Sequence, residues 1–347
     1  MTSPKPVLAV TMGDPAGTGP ELITKALLLS EVRNVCRPVV VGDAAVLRAA
    51  AGITGGAATI RAVASPAEVG DDAATIDVID LRNVPEGELR RGTVSPLSGR
   101  VAYECIRRAV ELTLAGQTQA VVTSALNKAS LHAAGHHFDG HTELLAELCG
   151  PPRPEVTMML VADGLRIGHV STHVALREAI ARVRPERIVA VIKLARAGVQ
   201  ELGIGDPHIA VAGLNPHAGE GGIFGDEEIE HIAPAIERAK QLGFHVSGPL
   251  AGDTVFFRTM QGEFDVAIAM YHDQGHVAAK MLGIWQGVNV TLGLPIIRTS
   301  VEHGTDFANA GRGTGDPRSL VQALKLAATM SGNRLKATGP AMQKTGK

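Results

Sequence analysis

VLAVTMGDPAGTGPE (7–21) decides the fold class. An apolar, β-branched run enters a glycine-rich turn and leaves through Pro20 and Glu21, a pair suited to the first turn of a helix. The same strand-then-helix rhythm returns in VVVG before a helical pattern from Asp43 to Ala50, and in AVVTS before one from Lys128 to Ala134. Further strands are expected in VTMMLVA from Val156, LRIGHVS from Leu165, HIAVAG from His208, DVAIAM from Asp265 and VNVTLG from Val288. After Pro185, the spacing of Ile188, Ile192, Ala195, Val199 and Leu202 predicts an amphipathic helix whose apolar stripe faces a core. Alternation of this kind is the pattern of an α/β fold with a largely parallel sheet. The Ala/Gly-rich stretch 44–58 reads as a surface helix end and loop, and no tandem repeat or Pro/Ser-rich linker interrupts the chain.

The 347 residues, 45% hydrophobic and 20% charged, suffice for one large domain or two lobes. A formal net charge of -2 gives no footprint for nucleic acid or an anionic membrane, and 3% aromatics leave few stacking platforms for single strands. The uncharged stretch 281–297 is broken by Gln286, Asn289, glycines and Pro295, so no membrane span is expected. The opening MTSPKPVLAV lacks the basic and apolar regions of a secretory signal, which suggests the cytoplasm. Cys36, Cys105 and Cys149 are odd in number and widely spaced, the pattern of reduced thiols rather than a disulfide framework.

Histidines carry the chemical signal. His173, His217 and His272 each follow an apolar strand-like run, and parallel sheets bind ligands beyond the carboxyl ends of their strands. Three imidazoles with open positions describe a catalytic divalent-metal site; taken singly, each is also an ordinary loop or cap residue. HDQGH (272–276) has the i, i+4 spacing of a helical zinc pair but lacks the glutamate of HExxH, so His272 and Asp273 are placed in a loop and His276 at the opening of a helix. GDPAGTGPE is either a tight packing turn or an anion-binding helix start. In GHTELLAE, Thr142 is either a pocket residue or an N-cap. Lys280, Asn289 and Arg298 stand in and around an apolar segment, where they are either exposed or the donors of a phosphate or carboxylate pocket. HGTDFANAGRG (303–313) is a small-residue loop ahead of a helix after Pro317.

TMGDPAGTGPE, LNKASLHAAGHHFDGHTELLA, VSTHVALRE, GLNPHAGEGGIFGDEE, MYHDQGH and GVNVTLGLPIIRTSVEHGT occur in the order in which similar segments stand in the 4-hydroxythreonine-4-phosphate dehydrogenase family of vitamin B6 biosynthesis. The chain resembles that family nearly end to end. The resemblance implies an isocitrate/isopropylmalate-dehydrogenase-like fold of two α/β/α lobes, expected over 1–125 with 295–347 and over 126–294, with the site in the cleft between them. It further implies a homodimer with the metal site at the subunit interface. His173, His217 and His272 match the metal ligands, for Zn, Mg, Mn or Co. His141, Thr142, Lys280, Asn289 and Arg298 match substrate and phosphate contacts, while Lys280 and Asp253 are candidates for catalysis. Gly17, Gly19, His303 and Gly304 lie in two loops similar to those that embrace NAD (or NADP) in isopropylmalate dehydrogenases.

The implied reaction is metal-assisted oxidation of a small phosphorylated hydroxy acid, followed by loss of carbon dioxide from the β-keto acid. HVSTHVALR and LNKASLHAAGH lean toward the branch that converts D-threonate or D-erythronate 4-phosphate to dihydroxyacetone phosphate. The alternative is 4-phosphohydroxy-L-threonine, giving 3-amino-2-oxopropyl phosphate for pyridoxal phosphate. A third branch, acting on dihydrodiols of aromatic acids, lacks the phosphate contacts kept here in Thr142, Lys280, Asn289 and Arg298. A metal-dependent phosphohydrolase would need no cofactor loops, and a phosphate-binding module would need no histidine triad.

Overall fold

The computed structural model describes residues 5–138, 140–283 and 285–338. The first half runs β1 (Val7–Thr11), α1 (Gly19–Ala26), α2 (Ser30–Arg33), β2 (Arg37–Gly42), α3 (Ala44–Ile53), β3 (Thr59–Val63), β4 (Thr75–Asp80), α4 (Pro96–Leu114), β5 (Ala120–Thr123), α5 (Lys128–Ala133) and α6 (His141–Leu148). There follow β6 (Thr157–Ala162), β7 (Leu165–His169), α7 (Leu176–Ala181), α8 (Pro185–Glu201), β8 (Ile209–Ala212), α9 (Ala233–Gln241), β9 (Val246–Leu250), α10 (Val255–Met260), β10 (Val266–Ala269) and α11 (His272–Met281). The chain closes with β11 (Val288–Leu292), β12 (Ile297–Ser300) and α12 (Arg318–Thr338).

All twelve strands form one sheet in the order β3-β4-β2-β1-β5-β12-β11-β6-β7-β10-β8-β9. Two parallel blocks compose it. The six strands from β3 to β12 run one way, β7, β10, β8 and β9 are parallel among themselves, and antiparallel β11 and β6 join the blocks. The sequence reason is visible in β1, β2, β5, β8 and β10: their apolar residues are continuous rather than alternating because helices cover both faces. One core cluster spans both blocks, from Leu8 and Val122 to Val211 and Ile268.

The α/β expectation therefore holds, and every expected strand is present. All twelve strands share one continuous sheet, and α5 and α6, which fall in the expected second segment 126–294, pack on α4 of the expected first. Two local expectations are corrected. HDQGH is helical from His272 onward, so His272 stands in the first turn of α11 rather than in a loop. Gly140, not Thr142, occupies the N-cap of α6. The stretch 44–58 is more structural than its composition suggested: Asp43 caps α3 through the amides of Ala45 and Val46, and Leu47, Ala50 and Ala51 are buried.

Candidate active site

β7, β10 and β8 are adjacent and parallel, and His173, His272 and His217 lie just beyond their carboxyl ends. His217 is delivered by a strained turn. His217, Ala218, Gly219, Glu220 and Gly221 all have positive φ (52, 52, 80, 44 and 65°), a left-handed run that costs a non-glycine residue about 1 kcal/mol or more. Buried Glu228 holds that turn: its Oε1 accepts from the amides of Leu214 (2.6 Å) and Asn215 (2.7 Å), and its Oε2 accepts from Asn215 Nδ2 (2.9 Å). Asn215 Nδ2 also donates to Glu227. The NPHAGEGGIFGDEE motif is thus a device for presenting one imidazole.

His272 and His173 approach to 5.5 Å between ring centroids. His272 Nδ1 lies 2.6 Å from Asp273 Oδ1, the carboxylate–imidazole pairing that leaves Nε2 for a metal. The ring stacks on His276 at 3.6 Å, while His276 Nδ1 donates to the His272 carbonyl. Behind them, buried His169 sits 4.9 Å from His276. A Cβ on Gly275 would come within 2.5 Å of His169 Nε2, which explains the glycine in HDQGH. Burial pushes His169 down to about 3 and His276 down to about 4, so both rings are neutral at physiological pH. Gln274 ties α11 to β8 by donating to Gly213 O and accepting from the Met270 amide.

His217 does not join this pair: its ring lies against Phe224 at 6.1 Å. Among the described residues no three metal-capable side chains come close enough to hold an ion within one chain. The donor set nevertheless suits a divalent ion. His173 and His272 converge, with the Nε2 of His272 left for ligation, and His217 is held at the same end of neighbouring strands.

A cavity of about 160 Å³ is lined from both sheet blocks and the strand between them: Lys128, His141, Thr142, Arg298 and His303 from the first block's side, Asn289 from β11, and His173 from beyond β7. Arg298 is 2% exposed, and its hydrogen bonds go to neutral acceptors: Thr123 Oγ1 (2.8 and 3.2 Å), Thr291 Oγ1 (2.9 Å) and Asn289 Oδ1 (3.4 Å). Glu143 supports its charge through space only. Burial pulls Arg298 down to about 9, still charged at neutral pH. His141 is pushed well below its ordinary range, first by burial and then by the Arg298 charge, and its Nε2 is buried without a partner. A buried cation and an idle imidazole nitrogen on one small cavity call for an anionic, hydrogen-bonding ligand.

Lys128, which opens α5 after the cap Asn127, also lines this cavity, although within the LNKASLHAAGH segment the sequence assigns it no role. Lys280 does not line it. It is exposed in the last turn of α11, where its charge reaches Glu302. Asp253 is exposed beside a different, apolar hollow with Phe256, Phe257, Met260 and Val277.

The two glycine-rich loops are stapled together. The Thr18 amide donates to Thr305 O, Glu21 accepts from the amides of Gly311 and Gly313, and Lys25 donates to Gly313 O and Gly315 O. Gly17 packs against Thr305, where a Cβ would come within 2.5 Å of its carbonyl, and its amide donates to Asp14 O. Gly17 and Gly19 therefore shape the turn, and Thr18 between them lines a cavity. A second cavity of about 530 Å³ opens there, lined by Thr18, Leu22, Trp285, Gly304, Asp306 and Asp316 among others. His303 lines both cavities; its Nδ1 donates to Gly304 O at 2.9 Å, and its Nε2 is buried without a partner, an acceptor at the junction.

Comparison with known proteins agrees on the family. The family described as pyridoxal phosphate biosynthetic protein PdxA matches residues 34–327. A D-threonate 4-phosphate dehydrogenase of Cupriavidus necator is 48% identical over 95% of this chain and 98% of its own. A 4-hydroxythreonine-4-phosphate dehydrogenase of Trichlorobacter lovleyi is 43% identical over 96% and 100%. The crystal structure of a 4-hydroxythreonine-4-phosphate dehydrogenase from Klebsiella pneumoniae superimposes with a TM-score of 0.87 at 43% identity, covering 94% of this chain and all of the other.

Proposed function

Because the chain belongs to the family of pyridoxal phosphate biosynthetic protein PdxA, we propose that it is an NAD-dependent, divalent-metal-assisted dehydrogenase that oxidises and decarboxylates a 4-phosphorylated four-carbon hydroxy acid. The observation that carries this reading is Arg298, a buried guanidinium bonded only to neutral acceptors on a cavity that also holds the idle Nε2 of His141. A phosphate supplies the missing negative charge and acceptors. D-Threonate 4-phosphate or D-erythronate 4-phosphate is the proposed substrate and dihydroxyacetone phosphate the product, in keeping with the 48% identity to the Cupriavidus necator enzyme.

Arg298, Asn289, Thr142 and His141 anchor the phosphate, and Lys128 adds a mobile cation at the cavity wall. That anchoring directs the C3 hydroxyl toward His173 and the C3 hydrogen toward the His303 junction. A divalent ion held by His173, His272 and His217, when bound, supplies Lewis-acid charge for loss of the hydroxyl proton and for the charge that develops on decarboxylation. The balance is one hydride from C3 to the nicotinamide, one proton released from the C3 hydroxyl, and the C1–C2 electron pair retained on C2 as carbon dioxide leaves, where one proton is taken up to give dihydroxyacetone phosphate. Neutral His169 and His276 behind His272 hold its ring without adding charge.

The site is completed, in this proposal, by a second copy of the chain. Exposed apolar side chains surround the three predicted residues that stand apart from the phosphate cavity. Phe257 is 61% exposed near Asp253, Val277 (62%) and Met281 (81%) flank Lys280 on α11, and Ile223 (73%) adjoins the His217 turn. Burying such faces against a second copy would bring His217, Asp253 and Lys280 to a shared site. No helix among the described residues is long and apolar enough to cross a membrane, and Cys36, Cys105 and Cys149 are free thiols, in keeping with a reducing cytoplasm.

A second reading, supported by the 43% identity to the Trichlorobacter lovleyi enzyme, is oxidation of 4-phosphohydroxy-L-threonine. Product analysis after incubation with each acid and NAD decides between them. Dihydroxyacetone phosphate formed at the higher kcat/KM supports the sugar acids, and 3-amino-2-oxopropyl phosphate formed at the higher value overturns that choice. Phosphate release without NAD would instead mark a phosphohydrolase.

A further inference from the structure

The cavity between the glycine-rich turn and the 303–316 loop carries charge of one sign. Of the side chains lining it, Asp306 and Asp316 are the charged ones, and among the described residues no lysine or arginine lines it. Asp306, at positive φ (47°), accepts from Asn309 Nδ2 with both oxygens (3.0 Å each). Lys25, three residues past Leu22, spends its ammonium on the carbonyls of Gly313 and Gly315, and Arg312 of the 303–316 loop is exposed and outside the lining. Arg318 is held back by Asp316: its Nε and Nη2 both donate to Asp316 Oδ2 (2.8 and 2.6 Å), and its guanidinium lies 5.8 Å over the Trp285 ring, outside the cavity lining. That bond keeps Asp316 below the usual carboxylate range and therefore ionised.

We infer that Asp316 selects the cofactor: it presents negative charge to the adenosine end of a dinucleotide and sequesters Arg318, so that a dinucleotide with a free ribose 2′-hydroxyl binds and one with a 2′-phosphate is rejected. This rests on the reading that the cavity receives a dinucleotide, for which the buried, partnerless Nε2 of His303 at its inner end is the fitting acceptor. A hydroxyl donates to a carboxylate, whereas a phosphate meets two carboxylates and no cation in the lining. The device is latent for the opposite preference, because removing the Asp316 charge would both relieve repulsion and release a guanidinium suited to bidentate phosphate contact.

Trp285 is the single tryptophan of the chain and lies at the cavity. Energy transfer from it to bound NADH or NADPH reads affinity without turnover. The wild type is expected to bind NADH at least tenfold more tightly than NADPH. Asp316→Asn retains an oxygen to accept from the Arg318 amide at the start of α12, and so preserves the helix cap. It is expected to tighten NADPH binding by about tenfold, and the gain should vanish in Asp316→Asn/Arg318→Gln. Equal affinities in the wild type, or an Asp316→Asn protein that still rejects NADPH, would overturn the selection while leaving the dehydrogenase reading intact. Binding of neither dinucleotide would overturn both.

Discussion

At the scale of single residues, the chemistry turns on buried groups with unfinished bonding. Arg298 donates its hydrogen bonds to two threonines and an asparagine, and no carboxylate among the described residues bonds it. Arg298→Met should therefore leave the thermal midpoint within a few degrees, since it removes a desolvated charge, yet lower kcat/KM for the phosphorylated acid by about 100-fold or more. Steady-state kinetics beside calorimetry separates the two effects. His169 makes a pH prediction. Its ring titrates near 3 when folded and near an ordinary 6.5 when unfolded. The unfolded chain alone takes up the proton between these values, so the stabilisation is whole above pH 6.5 and is lost as pH falls toward 3, at about 1.4 kcal/mol per unit. Urea unfolding at pH 7 and pH 5 should show this loss, and His169→Leu should show a shallower one. The sequence displayed most of these side chains, because polar residues in apolar stretches stand out, as Asn289 and Arg298 do. Lys128 did not stand out, because an exposed first-turn lysine looks the same whether or not a cavity lies beside it.

At the scale of elements, two motifs are geometric rather than chemical. Glycine to alanine inside a helix usually stabilises by about 1 kcal/mol. Gly275→Ala in α11 should do the reverse, because its Cβ would fall 2.5 Å from His169 Nε2; a loss of about 2 kcal/mol is expected. Combining it with His169→Ala should recover part of that loss, a coupling readable in a denaturation double-mutant cycle. Glu228→Ala should free the strained 217–221 turn and weaken metal binding by about tenfold or more, with little change in far-ultraviolet dichroism. β1, β2, β5, β8 and β10 were legible because both faces are covered and their apolar runs are continuous, whereas buried β12, with the sequence IRTS, was not. β3 was not, since most of TIRAV at the sheet edge is solvent-facing. The helical start of α11 was hidden because Gly275 reads as a helix breaker until His169 is seen beside it.

At the scale of the molecule, one sheet joins two oppositely running blocks, and the Arg298 cavity lies where side chains from both meet. The sequence showed the α/β rhythm and, through six ordered motifs, the family. Periodicity could not show that His217, Asp253 and Lys280 stand apart from the Arg298 cavity within one chain, because the separation of loops on distant strands leaves no periodic mark. If that copy completes the site, Val277→Glu with Met281→Glu should yield a monomer in sedimentation that has lost most of its metal affinity; a monomer that keeps it would place the ion within one chain. The most direct measurement is NADH formation by the purified wild type on D-threonate 4-phosphate and on unphosphorylated D-threonate, each with and without a chelator. Phosphate-anchored, metal-assisted oxidation predicts turnover of the phosphorylated acid at a kcat/KM higher by about 100-fold or more, abolished by the chelator. Equal rates on the two acids, or full activity in chelator, would contradict it.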